Sequence, residues 1–188
     1  MIEDKKVEEI LAWPKNIHGY HVSPTTGDAV RIGDAVTIGD WVTIGDGVTI
    51  GDRVTIGDEV RIGDVVGIGD AVRIGDAVTI GDGARIGDDV IIGDEARIGD
   101  DVRIGDAVEF QRTPLYIQGR CYFMAYVGNG MIQSGCITET VLWWINNVKA
   151  CAAKYGYSPD EINEYVEYVE LMQKWIIRYE KQNISRRP

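Results

Sequence analysis

The sequence predicts a mostly-β protein: a trunk of short stacked strands, followed by a small α+β unit. Two observations carry this. Residues 27–110 read G-D-x-V-x-I six residues at a time, fourteen times without an insertion, with Ala at two of the Val places and Phe at the last Ile. After Phe110 the period stops, and aromatic, β-prone stretches lead into segments with helix caps. The expected division is a cap over 1–26, a trunk over 27–110 and a C-terminal module over 111–188.

The cap comes first. Asp4 to Trp13 carries apolar residues at Val7, Ile10, Leu11 and Trp13, a spacing that suits a short amphipathic helix. Pro14 ends it, because the residue before a proline is pushed out of helical geometry. Ile17–Val22 reads as extended, and Ser23-Pro24-Thr25-Thr26 as a turn into the repeat. A stack of repeats needs a cover at its open end, and this segment supplies one.

In the trunk, Val and Ile flank one residue, so they point to one side of a short strand and that residue to the other. Gly permits backbone angles closed to other residues, and Asp tolerates the left-handed region, so Gly-Asp is where the chain turns. A strand and a turn every six residues make a coil with flat sides. Val and Ile fill it, and each backbone bonds to the coils above and below. Each Asp is expected to bond its own turn in an Asx-type arrangement. Calcium-binding rolls use a nonapeptide with more glycine, so no metal site is expected.

These units resemble the hexapeptide-repeat family, over 84 of 188 residues. The resemblance implies a left-handed parallel β-helix with three units per coil, a triangular cross-section and frequent homotrimers. The fourteen units then form four to five coils, roughly 20–25 Å tall. Residues eighteen apart stack, so the outward strand positions make three columns. One is Arg31, Thr49, Gly67, Arg85 and Arg103; the next is Thr37, Thr55, Arg73, Ile91 and Glu109; the third is Thr43, Arg61, Thr79 and Arg97. None is a flat threonine array of the ice-binding kind. The third column suits a wet interface between copies, and Trp41, Val65 and Ile91 are outward apolar residues. The interface candidates are Trp41, Thr43, Arg61, Thr79, Ile91 and Arg97.

Many relatives of this repeat are acyltransferases. That resemblance implies a coenzyme A thioester, a histidine general base on or near a coil, and often an extruded loop. The repeat here has no histidine and no loop insertion. His18 and His21 are the only histidines, both in the cap, and are weak catalytic candidates. Two histidines cannot make the three-histidine zinc site of a related carbon dioxide-hydrating fold. No cofactor is expected.

Beyond the trunk, Thr113–Gln118, Arg120–Val127 and Met131–Ser134 read as strands of a small antiparallel sheet, with Gly128-Asn129-Gly130 as a turn. The sheet is expected to lie on the last coil. Thr138 or Thr140 can cap a helix through Tyr155, stopped by Gly156. Ser158-Pro159-Asp160-Glu161 opens a second helix to about Lys181, with an N-cap, a proline at the first helical position and a capping-box Glu. Its apolar face is Tyr165, Tyr168, Val169, Met172, Trp175, Ile176 and Tyr179, and residues 183–188 read as a frayed basic tail. YIQG at Tyr116–Gly119, Gly135-Cys136 and Trp143-Trp144 resemble C-terminal modules of phage and bacterial hexapeptide proteins. Arg112, Tyr116, Arg120, Tyr122, Trp143 and Trp144 combine aromatic faces with cations and are candidates for holding a small anionic ligand such as a nucleotide or sugar phosphate. The same aromatics also suit a compact core.

The chain carries a net charge of −11, unevenly placed. The trunk holds nineteen acids against seven arginines, a net −12. Such a field repels phosphate backbones and disfavours broad nucleic-acid binding. No apolar run is long enough to span a bilayer and no signal-peptide pattern occurs, so a cytoplasmic protein is expected. Three cysteines without a CxxC predict reduced, mostly buried thiols. The readings left open are a non-enzymatic trimeric scaffold displaying its C-terminal module, a protein binding a small anion between protomers, and an acyltransferase.

Overall fold

The computed structural model describes residues 2–3 and 7–184. The chain forms two compact units, Met1–Pro114 and Leu115–Pro188. Asp4–Lys6 of the expected first helix and residues 185–188 of the expected tail lie outside the described residues.

The first unit is a β-solenoid of three parallel faces. One face stacks Thr43–Ile44, Arg61–Ile62, Thr79–Ile80 and Arg97–Ile98. The second stacks Thr37–Ile38, Thr55–Ile56, Arg73–Ile74, Ile91–Ile92 and Glu109–Phe110. The third stacks Ala29–Ile32, Val48–Ile50, Gly67–Ile68, Arg85–Ile86 and Arg103–Ile104. Every register step is eighteen residues, as in Thr79↔Arg97, Arg73↔Ile91 and Arg85↔Arg103. The three outward columns therefore stand as the period implies. Inside, Val48, Val54, Val60, Val72, Val78, Ala84, Val90 and Ala96 are fully buried, and the isoleucines that close each unit from Ile44 to Ile104 are nearly so, Ile91 being an outward residue. Burying a branched side chain contributes about 1.5–3 kcal/mol, so two from every six residues offset part of the ordering entropy, and the hydrogen bonds between coils add to it.

The corners differ from expectation. After the first unit, where Gly27 has φ +79°, the left-handed residue is not the Gly or Asp of the pair but the residue after them: Ala35, Trp41, Arg53, Glu59 and Val65 have φ near +55 to +61°, and Gly47 and Gly83 at the same place +68 and +67°. Glycine is needed for close approach instead. A Cβ on Gly51 would lie 2.4 Å from Asp70 Oδ1 and 2.7 Å from the Gly69 carbonyl carbon. Nor does Asp bond its own turn. Its carboxylate accepts from the backbone N–H of the Asp one coil earlier, as in Asp34 N–H to Asp52 Oδ1 and Asp46 N–H to Asp64 Oδ1, both at 2.8 Å. In return the residue after the later Asp donates its N–H to the earlier Asp carbonyl, as Arg53 does to Asp34 at 2.8 Å. The coils are thus laced at the corners as well as along the strands. A bond to a charged acceptor contributes about 1.5–3 kcal/mol, against about 1 kcal/mol of repulsion between solvated carboxylates one coil apart.

The cap closes two faces. Strand His21–Val22 adds antiparallel to Ala29–Ile32, and Ile2–Glu3 adds antiparallel to Thr43–Ile44. Helix α1 spans only Val7–Leu11 and buries Ile10. The expected extended run Ile17–Val22 is broken by a turn, where Asn16 Oδ1 accepts from the N–H groups of His18 and Tyr20.

The second unit is a four-stranded antiparallel meander, Tyr116–Gln118, Phe123–Gly128, Met131–Ser134 and Ile137–Thr140, followed by α2 (Val141–Lys154) and α3 (Pro159–Ile184). The first two strands start later than the sequence suggests, and the fourth was not expected. Its inward positions, Ile137 and Glu139, are only half-buried and one is charged, so the sequence carries little apolar alternation there. Thr140 Oγ1 caps α2 by accepting from Trp143 N–H at 3.1 Å. Ser158 and Glu161 form the reciprocal capping box of α3, which runs one turn past the expected end. Tyr165, Val169, Met172, Ile176 and Tyr179 are buried, while Tyr168 and Trp175 are half-buried.

Candidate groove on one face of the trunk

One side of the trunk carries a groove of about 590 Å³ lined by Glu59, Arg61, Ala77, Thr79, Glu95, Arg97 and Thr113. Two columns build it. Arg61, Thr79 and Arg97 are outward strand residues of the first face. Glu59, Ala77 and Glu95 are left-handed corner residues two positions earlier on the same coils. Their stacking follows from the corner lacing, since Glu59, Ala77 and Glu95 donate their N–H groups to Asp40, Asp58 and Asp76. Thr113 continues the corner past the last repeat, its Oγ1 accepting from Arg97 N–H at 3.1 Å. All four charged side chains are exposed, and none makes an ion pair among the described residues.

Three interface candidates, Arg61, Thr79 and Arg97, thus meet in one groove. Trp41 and Thr43 lie on the same corner and face one coil earlier, with Trp41 70% exposed. Ile91 is on another face, 39% exposed. Glu59, Ala77, Glu95 and Thr113 were missed. The eighteen-residue period finds them once it is applied to the residue after Gly-Asp, rather than to the strand centre alone.

Of the ligand candidates, Arg112 belongs to the first unit and is exposed. In the second unit, Tyr116 stacks on Phe123 at 5.3 Å and donates its hydroxyl to Gln118. Arg120 pairs with Glu164 at 3.2 Å. Tyr122 is half exposed, while its backbone N–H and carbonyl are both bonded to the Tyr165 hydroxyl. Trp144 is core: it is buried, and its indole N–H donates to the Ile132 carbonyl at 2.9 Å. Trp143 meets it edge-on at 5.2 Å. Around Tyr122, Cys121 Sγ lies 3.8 Å from Glu161 Oε1, and Tyr168 donates its hydroxyl to Glu164. Ser158, chiefly through its backbone N–H, holds the Glu161 carboxyl below the ordinary range. Burial, then the neighbouring Tyr165, raises the Tyr157 phenol well above its usual value.

His18 is exposed in the cap turn. His21 is 3% exposed with Nδ1 3.3 Å from the Trp13 carbonyl. The expectation of mostly buried thiols does not hold: Cys121 and Cys136 are exposed and Cys151 half-buried, all free thiols. No group of three or more His, Cys, Asp or Glu suited to a metal ion occurs among the described residues. No described helix is long and apolar enough to cross a membrane.

Residues 23–64 match the family model described as bacterial transferase hexapeptide (six repeats). No curated protein matches the chain. Among solved structures, it is similar to a hexapeptide transferase family protein from Anaplasma phagocytophilum, at 19% identity over 78% of each chain with a TM-score of 0.39. It is also similar to LpxA, a UDP-N-acetylglucosamine acyltransferase from Bacteroides fragilis 9343, at 18% identity over 74% of this chain and 78% of that one, with a TM-score of 0.29.

Proposed function

This chain carries the hexapeptide repeat, folded as a β-solenoid, and on that basis we propose that it is a non-enzymatic trimeric scaffold. The trunk sets spacing, and each copy brings one C-terminal unit, so an assembly presents three. Linked units raise the effective concentration of a second binding event without any new contact. The observation that carries the reading is how the trunk spends its residues. Inward positions are packing, Gly and Asp lace the corners, and one outward side carries a charged groove of Glu59, Arg61, Glu95 and Arg97. Light scattering on the purified chain at micromolar concentration tests it, with the mass of three 20.8 kDa chains as the expected result. A strictly monomeric protein sinks it.

A second reading is favoured by Arg61 and Arg97 in that groove: a small anionic ligand held there. Guanidinium groups suit phosphate and carboxylate geometry. A thermal-shift panel of nucleotides, sugar phosphates and coenzyme A reads this directly. A shift with coenzyme A alone, with turnover lost in His18→Ala or His21→Ala, would instead favour acyl transfer, in keeping with a family model described as a transferase.

A further inference from the structure

Resting on the trimeric reading, we infer that the groove is the contact between copies, with Glu59 and Glu95 of one copy facing Arg61 and Arg97 of the next. The three sheets give the trunk three faces and three corners. In a triangular section, a corner and either adjacent face point about 60° apart. In a closed three-fold ring, the two surfaces one copy offers its neighbours also diverge by about 60°. A corner and its neighbouring face therefore close a ring, whereas a corner and the opposite face make an open row.

Register selects which corner and face. Around an axis parallel to the trunk, contacts join points of equal height. With eighteen residues per coil, a corner residue stands level with the strand residue two positions on. For the corner Trp41, Glu59, Ala77, Glu95 and the face Thr43, Arg61, Thr79, Arg97, this puts Trp41 opposite Thr43, Glu59 opposite Arg61, Ala77 opposite Thr79 and Glu95 opposite Arg97. Two opposite-charge pairs result and no like-charge pair. The five other corner–face pairings give at most one. The corner Ala35, Arg53, Ala71, Asp89, Ala107, for example, meets Thr37, Thr55, Arg73, Ile91 and Glu109 without any opposite-charge pair. Among the described residues Glu59, Arg61, Glu95 and Arg97 make no ion pair, so their charges are available to a neighbour. A second copy of this chain supplies the complement, even though the trunk's overall charge opposes association.

The test is charge exchange read by sedimentation velocity. Arg61→Glu with Arg97→Glu should raise the half-assembly concentration at least about tenfold, and Glu59→Arg with Glu95→Arg should do the same. All four together restore the pairs with signs reversed and should restore the trimer. The variants keep residue types the fold already accepts, since Arg53 occupies the left-handed corner position and Glu109 the outward strand position. Circular dichroism confirms folding. A trimer indifferent to both pairs of reversals, or not rescued by the fourfold variant, overturns this contact while leaving the trimeric scaffold standing. A folded wild-type monomer overturns both.

Discussion

Asp70 accepts, at 2.8 Å, the backbone N–H of Asp52, its counterpart one coil earlier. The two residues are both repeat copies and bonding partners. The aspartate of each unit is thus a joint between coils rather than a turn-former. Removing the acceptor in Asp70→Ala leaves a part-buried N–H without it and is expected to cost about 1–3 kcal/mol in a denaturation midpoint. Asp70→Asn keeps a carbonyl oxygen and removes one stacked charge, so it should cost clearly less. Equal losses in the two variants would refute the joint.

Two glycine-to-alanine substitutions should part company. In Gly51→Ala the new Cβ meets Asp70 Oδ1 at 2.4 Å and the Gly69 carbonyl, and about 1–3 kcal/mol of destabilisation follows from overpacking. Around Gly67 a Cβ meets nothing within 4 Å, and φ is not positive. Gly67→Ala should be neutral or stabilising by up to about 1 kcal/mol, because it restricts the unfolded chain. Thermal melts of the two variants side by side decide it.

Glu161 gives the second unit a pH dependence. Its folded pKa is lowered, first by the Ser158 backbone N–H and then by the Ser158 hydroxyl. A depressed carboxyl contributes stability that is present above its unfolded value of 4.5 and is lost as pH falls through the lowered folded value. Helical ellipticity under mild denaturant should therefore drop below pH 4.5 more steeply in the wild type than in Glu161→Gln. Parallel acid profiles would exclude the capping box as the cause.

The thiols should react in order. Cys121 and Cys136 are exposed, while burial pushes the half-buried Cys151 thiol up. Only the thiolate attacks, so Cys151 lags at neutral pH. Intact-protein mass during iodoacetamide treatment should show two adducts accumulating first and the third appearing mainly on unfolding. Three adducts forming at one rate would contradict this placement.

Legibility follows period. A residue type recurring every six positions announces its environment many times, so the inward Val and Ile and the three outward columns were readable before any coordinates. Non-repeating pieces were readable only where one side chain does a local job, as Thr140, Ser158 and Glu161 do at helix starts. The strand Ile137–Thr140, the burial of Trp144 and the exposure of Cys121 depend on distant partners and carried no local signal. The groove was half legible: Arg61, Thr79 and Arg97 were in view, Glu59 and Glu95 were not.

By itself, then, the repeat determined that the chain coils, where each strand falls and which residues are inside, because alternation along a strand and a constant period are local properties. Only the tertiary structure decided what Gly-Asp is for. Gly51 is small because the next coil leaves no room for a Cβ, and Asp70 is acidic because the coil before offers it an N–H. Both reasons lie eighteen or more residues away, where one coil rests on another.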